Sequence, residues 1–137
     1  MKLGLFIPLV FVAQTATAGD ISLTVNGLRS GNGMLRIALF DNARDFPNGQ
    51  EILKRNFTVQ AGTVTVLLDT LPTGTYAIAL HHDENANGKM DMGLLGLPQE
   101  GYGFSNDAPV FLGAPPFSDA AFLLPEEGKA ISIRMVY

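Results

Sequence analysis

Apolar and polar residues alternate along most of this chain. Ile21, Leu23 and Val25 are interleaved with Ser22, Thr24 and Asn26; Leu35, Ile37 and Leu39 are interleaved with Met34, Arg36, Ala38 and Phe40. A period of two puts successive side chains on opposite faces of an extended backbone, so each run predicts a half-buried β-strand. Gly27 to Gly33 contains three glycines and reads as a turn, so the two runs are expected to pair as a hairpin. Asp45-Phe46-Pro47-Asn48-Gly49 carries turn chemistry, and Glu51 to Lys54 is expected to form a helical turn at most. A third strand is predicted from Phe57 and Val59, and a fourth from Val64, Val66 and Leu68. After the Leu71-Pro72-Thr73-Gly74-Thr75-Tyr76 turn comes a fifth, with Tyr76, Ile78 and Leu80 on one face and Ala77, Ala79 and His81 on the other. Ala121 to Leu124, and then Ile131, Ile133 and Met135, complete the set.

Between the fifth and sixth strands the alternation stops for 37 residues, Asp83 to Asp119. Six glycines and four prolines disfavour a helix or a central strand there. Leu94, Leu95, Leu97, Tyr102, Phe104, Val110, Phe111 and Phe117 predict an ordered excursion packed over one end of the core, since a disordered linker is depleted in such residues. About seven strands with no amphipathic helix predict an all-β fold, an antiparallel β-sandwich of immunoglobulin-like or transthyretin-like type with one long ordered loop.

The N-terminus changes the count of residues available to that fold. Lys2, the apolar run Leu3 to Val12 and the small residues Ala16-Thr17-Ala18 have the three-part pattern of a secretory signal peptide, with cleavage expected after Ala18. The apolar run is too short to span a bilayer, so no membrane insertion is expected after cleavage. Residues 19–137 then form one domain, periplasmic or secreted. They have no cysteine, which excludes disulfides and thiolate chemistry. Without Lys2 their net charge is −5, which disfavours nucleic acid as a partner. An envelope protein or a glycan remains open as partner.

The acidic excess concentrates in candidate chemistry at the start of the excursion. In Asp83-Glu84-Asn85-Ala86-Asn87-Gly88-Lys89-Met90-Asp91, oxygen-bearing side chains fall at alternate positions before a glycine, as a loop wrapped around Ca²⁺ requires. The expected ligands are Asp83, Asn85, Asn87, Asp91 and the Lys89 carbonyl. Leu94 stands where an EF-hand has its bidentate glutamate, so a further oxygen must come from elsewhere, Glu100 first and Asp107 second. Two certain carboxylates place the affinity at the weak end, with Kd on the order of 10⁻⁴–10⁻³ M. Asx turns alone are the competing explanation of these residues. His81 and His82, adjacent on a strand, point to opposite faces and cannot readily clasp one copper ion. Ser105, His82 and Asp83 can be nominated for a hydrolase, and Tyr102, Phe104, Phe111 and Phe117 for a stacking platform. Neither set carries a sequence signature, so a non-enzymatic protein is expected.

Three linked motifs carry a resemblance. His82 to Asp91, Leu95 to Asn106 (Leu-Gly-x-Pro-x-Glu-Gly-Tyr-Gly-Phe-Ser-Asn) and Pro115 to Phe122 resemble, in that order, the bacterial domain-of-unknown-function family 2141. In the third motif Phe117-Ser118 precedes Asp119 where the family pattern has one more residue. The resemblance implies an exported bacterial β-sandwich without established activity, and supplies no catalytic residue. Leu71 to Tyr76 is similar, more loosely, to a turn of transthyretin-like modules of bacterial surface proteins.

Overall fold

A computed structural model of the chain describes residues 3–12 and 17–137. Lys2 and Ala16, both part of the expected signal peptide, lie outside the described residues. Leu3 to Val12 are exposed and form no regular structure. Among the described residues no helix is long and apolar enough to cross a membrane.

The described residues form eight strands: β1 (Ala18–Leu28), β2 (Met34–Phe40), β3 (Leu53–Thr58), β4 (Gly62–Pro72), β5 (Gly74–Asp83), β6 (Gly101–Phe104), β7 (Phe122–Leu124) and β8 (Lys129–Arg134). One sheet has the order β4-β1-β8 and the other β3-β2-β5-β6, with β7 pairing the start of β5. The alternation explains which faces meet. Ile21, Leu23 and Val25 of β1 and Ile131 and Ile133 of β8 pack against Leu35, Ile37 and Leu39 of β2 and Tyr76, Ile78 and Leu80 of β5. Each such side chain, fully withdrawn from water, stabilises the fold by about 1.5–3 kcal/mol before entropy is counted. The β4–β5 turn is closed by the Tyr76 hydroxyl, which donates to the Pro72 carbonyl at 2.6 Å.

The second sheet is covered on its outer face as well. Phe40 and Ala77 meet Phe46, Ala108 and Ala120 from the connecting segments, with Phe104 and Phe117 packed alongside. The Phe46 ring meets Phe40, Phe104 and Phe117 edge-on, with centroids 5.5, 5.8 and 5.9 Å away. A short helix, α1 (Phe117–Ala120), brings Phe117 and Ala120 into this second core.

Several sequence expectations are corrected. β1 and β2 do not form a hairpin but lie in different sheets, because β1 pairs β4 and β8 while β2 pairs β3 and β5. The β1–β8 pair is parallel, the exception in an otherwise antiparallel fold. Leu53 and Lys54 begin β3 instead of a helical turn, held by pairing with Leu39 and Ala38. The excursion contains a strand of its own, β6, whose Gly101 and Gly103 sit under Tyr137 and Ile133, where a Cβ would come within 2.4 and 2.9 Å of those side chains. Its apolar residues divide: Phe104 and Phe117 pack, whereas Leu94, Leu95, Leu97 and Phe111 stand in solvent.

Candidate functional site

The last residues of β5 feed two different environments. His82, on the inner face, is wholly buried. Its Nε2 lies 2.7 Å from the Asn32 carbonyl, which can only accept, so Nε2 carries the proton. Nδ1 then accepts from the Tyr137 hydroxyl at 2.6 Å. Burial pushes the Tyr137 phenol up, keeping it a donor. The Arg29 guanidinium lies 4.3 Å over the Tyr137 ring.

Asp83 and His81 occupy the outer face. Asp83 is wholly buried, and its Oδ2 accepts from Arg36 Nε at 2.7 Å and Gly88 N at 2.7 Å, while Oδ1 accepts from Asn87 N at 3.1 Å. Arg36 and Asp83 are diagonal neighbours across the β2–β5 pair, in which Arg36 is registered with His81 and Met34 with Asp83. Desolvation raises the Asp83 carboxyl, but the Arg36 hydrogen bond, with the Gly88 and Asn87 amides, outweighs it and holds the group below the ordinary range. Beside it, the Arg29 hydrogen bond holds Glu84 low against desolvation, and Ser30 Oγ donates to Glu84 Oε2 at 2.8 Å.

Glu100 closes the loop from the other side. Its Oε2 accepts from Glu84 N at 2.7 Å, and its Oε1 accepts from Asp91 N at 3.1 Å and faces His81 Nε2 at 3.1 Å. The Asp91 carboxylate draws in both amide side chains, Asn85 Nδ2 at 2.6 Å and Asn87 Nδ2 at 2.9 Å. The amide oxygens accept in turn from backbone, Asn85 from Asn87 N at 3.2 Å and Asn87 from Lys89 N at 2.9 Å. The structure thus gathers Asp83, Asn85, Asn87 and Asp91 into one compact loop, with Glu100 against it. Asp107 is elsewhere, accepting from Arg134 N at 2.8 Å.

A different group of potential ligands lies beneath the loop. One atom each from His81, Asp83 and Glu100 lies within 4.8 Å of the others. A cation there would face the Arg36 guanidinium already bonded to Asp83. Sequence reasoning missed Arg36, because only the strand pairing reveals that it stands next to Asp83.

The nominated hydrolase residues are not brought together. Ser105 is buried; its Oγ accepts from Ile78 N at 2.9 Å and donates to the Ala120 carbonyl at 2.5 Å. His82 is buried on the inner face against Tyr137 and Asn32, and Asp83 is buried on the opposite face against Arg36. Of the nominated aromatic platform, Tyr102 and Phe104 are neighbours with ring centroids 6.3 Å apart, Phe104 and Phe117 pack against the second core, and Phe111 is solvent-exposed.

The chain matches the family described as an uncharacterised protein conserved in bacteria (DUF2141) over residues 23–132. It belongs to that family. The match runs from within β1 to within β8 and contains the whole Asp83–Glu100 region, so loop and sandwich belong to one family unit. No curated protein and no solved structure matches the chain significantly.

Proposed function

We propose that this DUF2141 protein is an exported, non-catalytic β-sandwich whose Asp83–Asp91 loop binds Ca²⁺. The observation that carries the reading is the meeting of the Asn85 and Asn87 side chains on the Asp91 carboxylate, above a loop floor tied to buried Asp83. With an ion at that point the two amides would turn to offer oxygen in place of nitrogen, joining Asp91 and the Lys89 carbonyl. Turning them gives up two backbone hydrogen bonds, which agrees with weak affinity, Kd on the order of 10⁻⁴–10⁻³ M. Asp91 also accepts from Gln99 N through its carbonyl at 2.7 Å, so the ion would steady the 91–99 segment. The apolar Leu3–Val12 run supports export.

Thermal unfolding with calcium or chelator tests the ion. At ten- to hundredfold excess over Kd, binding stabilises by roughly 1.4–2.7 kcal/mol. Asp91→Asn, which leaves the buried Asp83–Arg36 pair intact, is expected to abolish the response. A melting curve indifferent to roughly 10 mM calcium, above the affinity range for such sites, refutes the proposal.

A further inference from the structure

Two turns share a sequence pattern and a left-handed leucine. Leu94-Leu95-Gly96 and Phe111-Leu112-Gly113 each place a large apolar residue and a leucine before glycine. Leu95 (φ 64°) and Leu112 (φ 55°) both adopt the left-handed region, which a Cβ disfavours. Leu94, Leu95, Phe111 and Leu112 are 91, 96, 83 and 95 % exposed. Strained backbone that turns apolar side chains into water opposes stability twice over, and such strain concentrates at functional sites. The first turn is ordered: Gly93 N donates to the Leu97 carbonyl and Gln99 N to the Asp91 carbonyl, both at 2.7 Å. Pro109 and Pro115-Pro116 flank the second.

Leu95 and Leu112 border the same cleft of about 660 Å³, so the two tips lie at one end of the molecule. Among the described residues no charged one lines that cleft, and none occurs in 92–99 or 108–118. Addition of a peptide strand beside the tips is blocked, because the free edge of β6 is closed by Tyr102 N to the Val136 carbonyl at 2.9 Å and the return bond at 2.8 Å. Projecting hydrocarbon with no hydrogen-bonding complement suits a fluid acyl layer, which demands neither shape complementarity nor polar partners. The chain's net charge of −4 disfavours anionic headgroups.

We propose that the two apolar turns dock the domain on a membrane surface of zwitterionic lipid, inserting Leu94, Leu95, Phe111 and Leu112 among the acyl chains. The contact is confined to these side chains and is distinct from a spanning segment. The contact uses none of the loop's oxygen ligands, so the test is run in chelator, where ion binding plays no part.

Among the described residues every buried core side chain lies between Ile21 and Met135, so residues 19–137 are used, without the apolar Leu3–Val12 run. The chain has no tryptophan, so Leu94→Trp and Phe111→Trp each introduce a single reporter. With phosphatidylcholine vesicles both emissions are expected to shift to the blue, while Leu67→Trp, exposed on β4 in the other sheet, stays unchanged. The double variant Leu94→Ser with Phe111→Ser should partition roughly tenfold or more weakly at unchanged fold, as loss of two apolar insertions requires. Tip reporters that ignore vesicles in variants of wild-type melting temperature overturn the proposal. So does a blue shift that grows with protein concentration without lipid, which would assign the tips to a second copy. An equal response of Leu67→Trp, or binding only to phosphatidylglycerol vesicles, overturns it as well.

Discussion

Replacing Asp83 by asparagine removes one charge from a buried site and nearly no volume. Three donors converge on the native carboxylate: Arg36 Nε, Gly88 N and Asn87 N. An asparagine offers one oxygen, and its NH₂ group must then face a donor, so at least one hydrogen bond becomes a repulsion. Breaking a buried ion pair by removing one partner costs about 3–5 kcal/mol. Arg36 keeps 22 % of its side chain in solvent and can recover part of its hydration, which lowers the expectation to about 2–4 kcal/mol. For a domain of this size that is a fall in melting temperature of roughly 6–20 °C. Urea unfolding followed by circular dichroism measures it, with Asp91→Asn as the comparison. The Asp91 side chain is only half-buried and its partners are side-chain amides, so its loss should cost under about 1 kcal/mol. The difference must also depend on pH. The Asp83 carboxyl is held below its unfolded value, so its contribution is complete above that value, near 4, and disappears as pH falls through the lower folded value. Equal costs for Asp83→Asn and Asp91→Asn at neutral pH, or a gap that widens in acid, would refute this account of the loop.

Further outcomes follow from other contacts. Tyr137→Phe strands the buried His82 Nδ1 and should cost about 1–3 kcal/mol in chemical unfolding, with a shift in the His82 imidazole resonances by NMR. Ser105→Ala orphans the Ile78 N–H and the Ala120 carbonyl beneath the second core and is expected to cost about 1–3 kcal/mol by thermal melting. Gly101→Ala drives a methyl into the Tyr137 ring, for about 1–3 kcal/mol by urea titration. Leu95→Asn and Leu112→Asn relieve left-handed strain, so each should raise stability by up to about 1 kcal/mol in differential scanning calorimetry while weakening vesicle binding.

Most of the strands were legible because burial of one sheet face imposes a period of two, and Ile21 to Val25 or Leu35 to Leu39 can satisfy it in only one way. Pairing was not legible. The glycine-rich link from β1 to β2 looks like a hairpin turn, yet alternation says which face is buried and nothing about which neighbour shares the sheet. β6 was hidden because Gly-Tyr-Gly-Phe offers small residues where a strand signal needs bulk, and those glycines are required by Tyr137 and Ile133 across the space they leave. In the site, the grouping of Asp83, Asn85, Asn87 and Asp91 follows from local spacing alone. Arg36 is 47 residues away from Asp83 and enters only through the β2–β5 register. Exposure of Leu94, Leu95 and Phe111 was equally unreadable, since composition cannot distinguish a loop that buries its leucines from one that displays them.

The parallel β1–β8 ladder governs when this molecule can be finished. Ile21 is registered with Lys129 and Asn26 with Arg134, so the first strand of the domain waits for the last before one flank of its backbone is satisfied. Until some hundred intervening residues have been synthesised, β1 can be bonded on one side only. Contacts so distant along the chain slow folding toward the millisecond-to-second range. A strand made early in synthesis thus depends for its second partner on one made near the end.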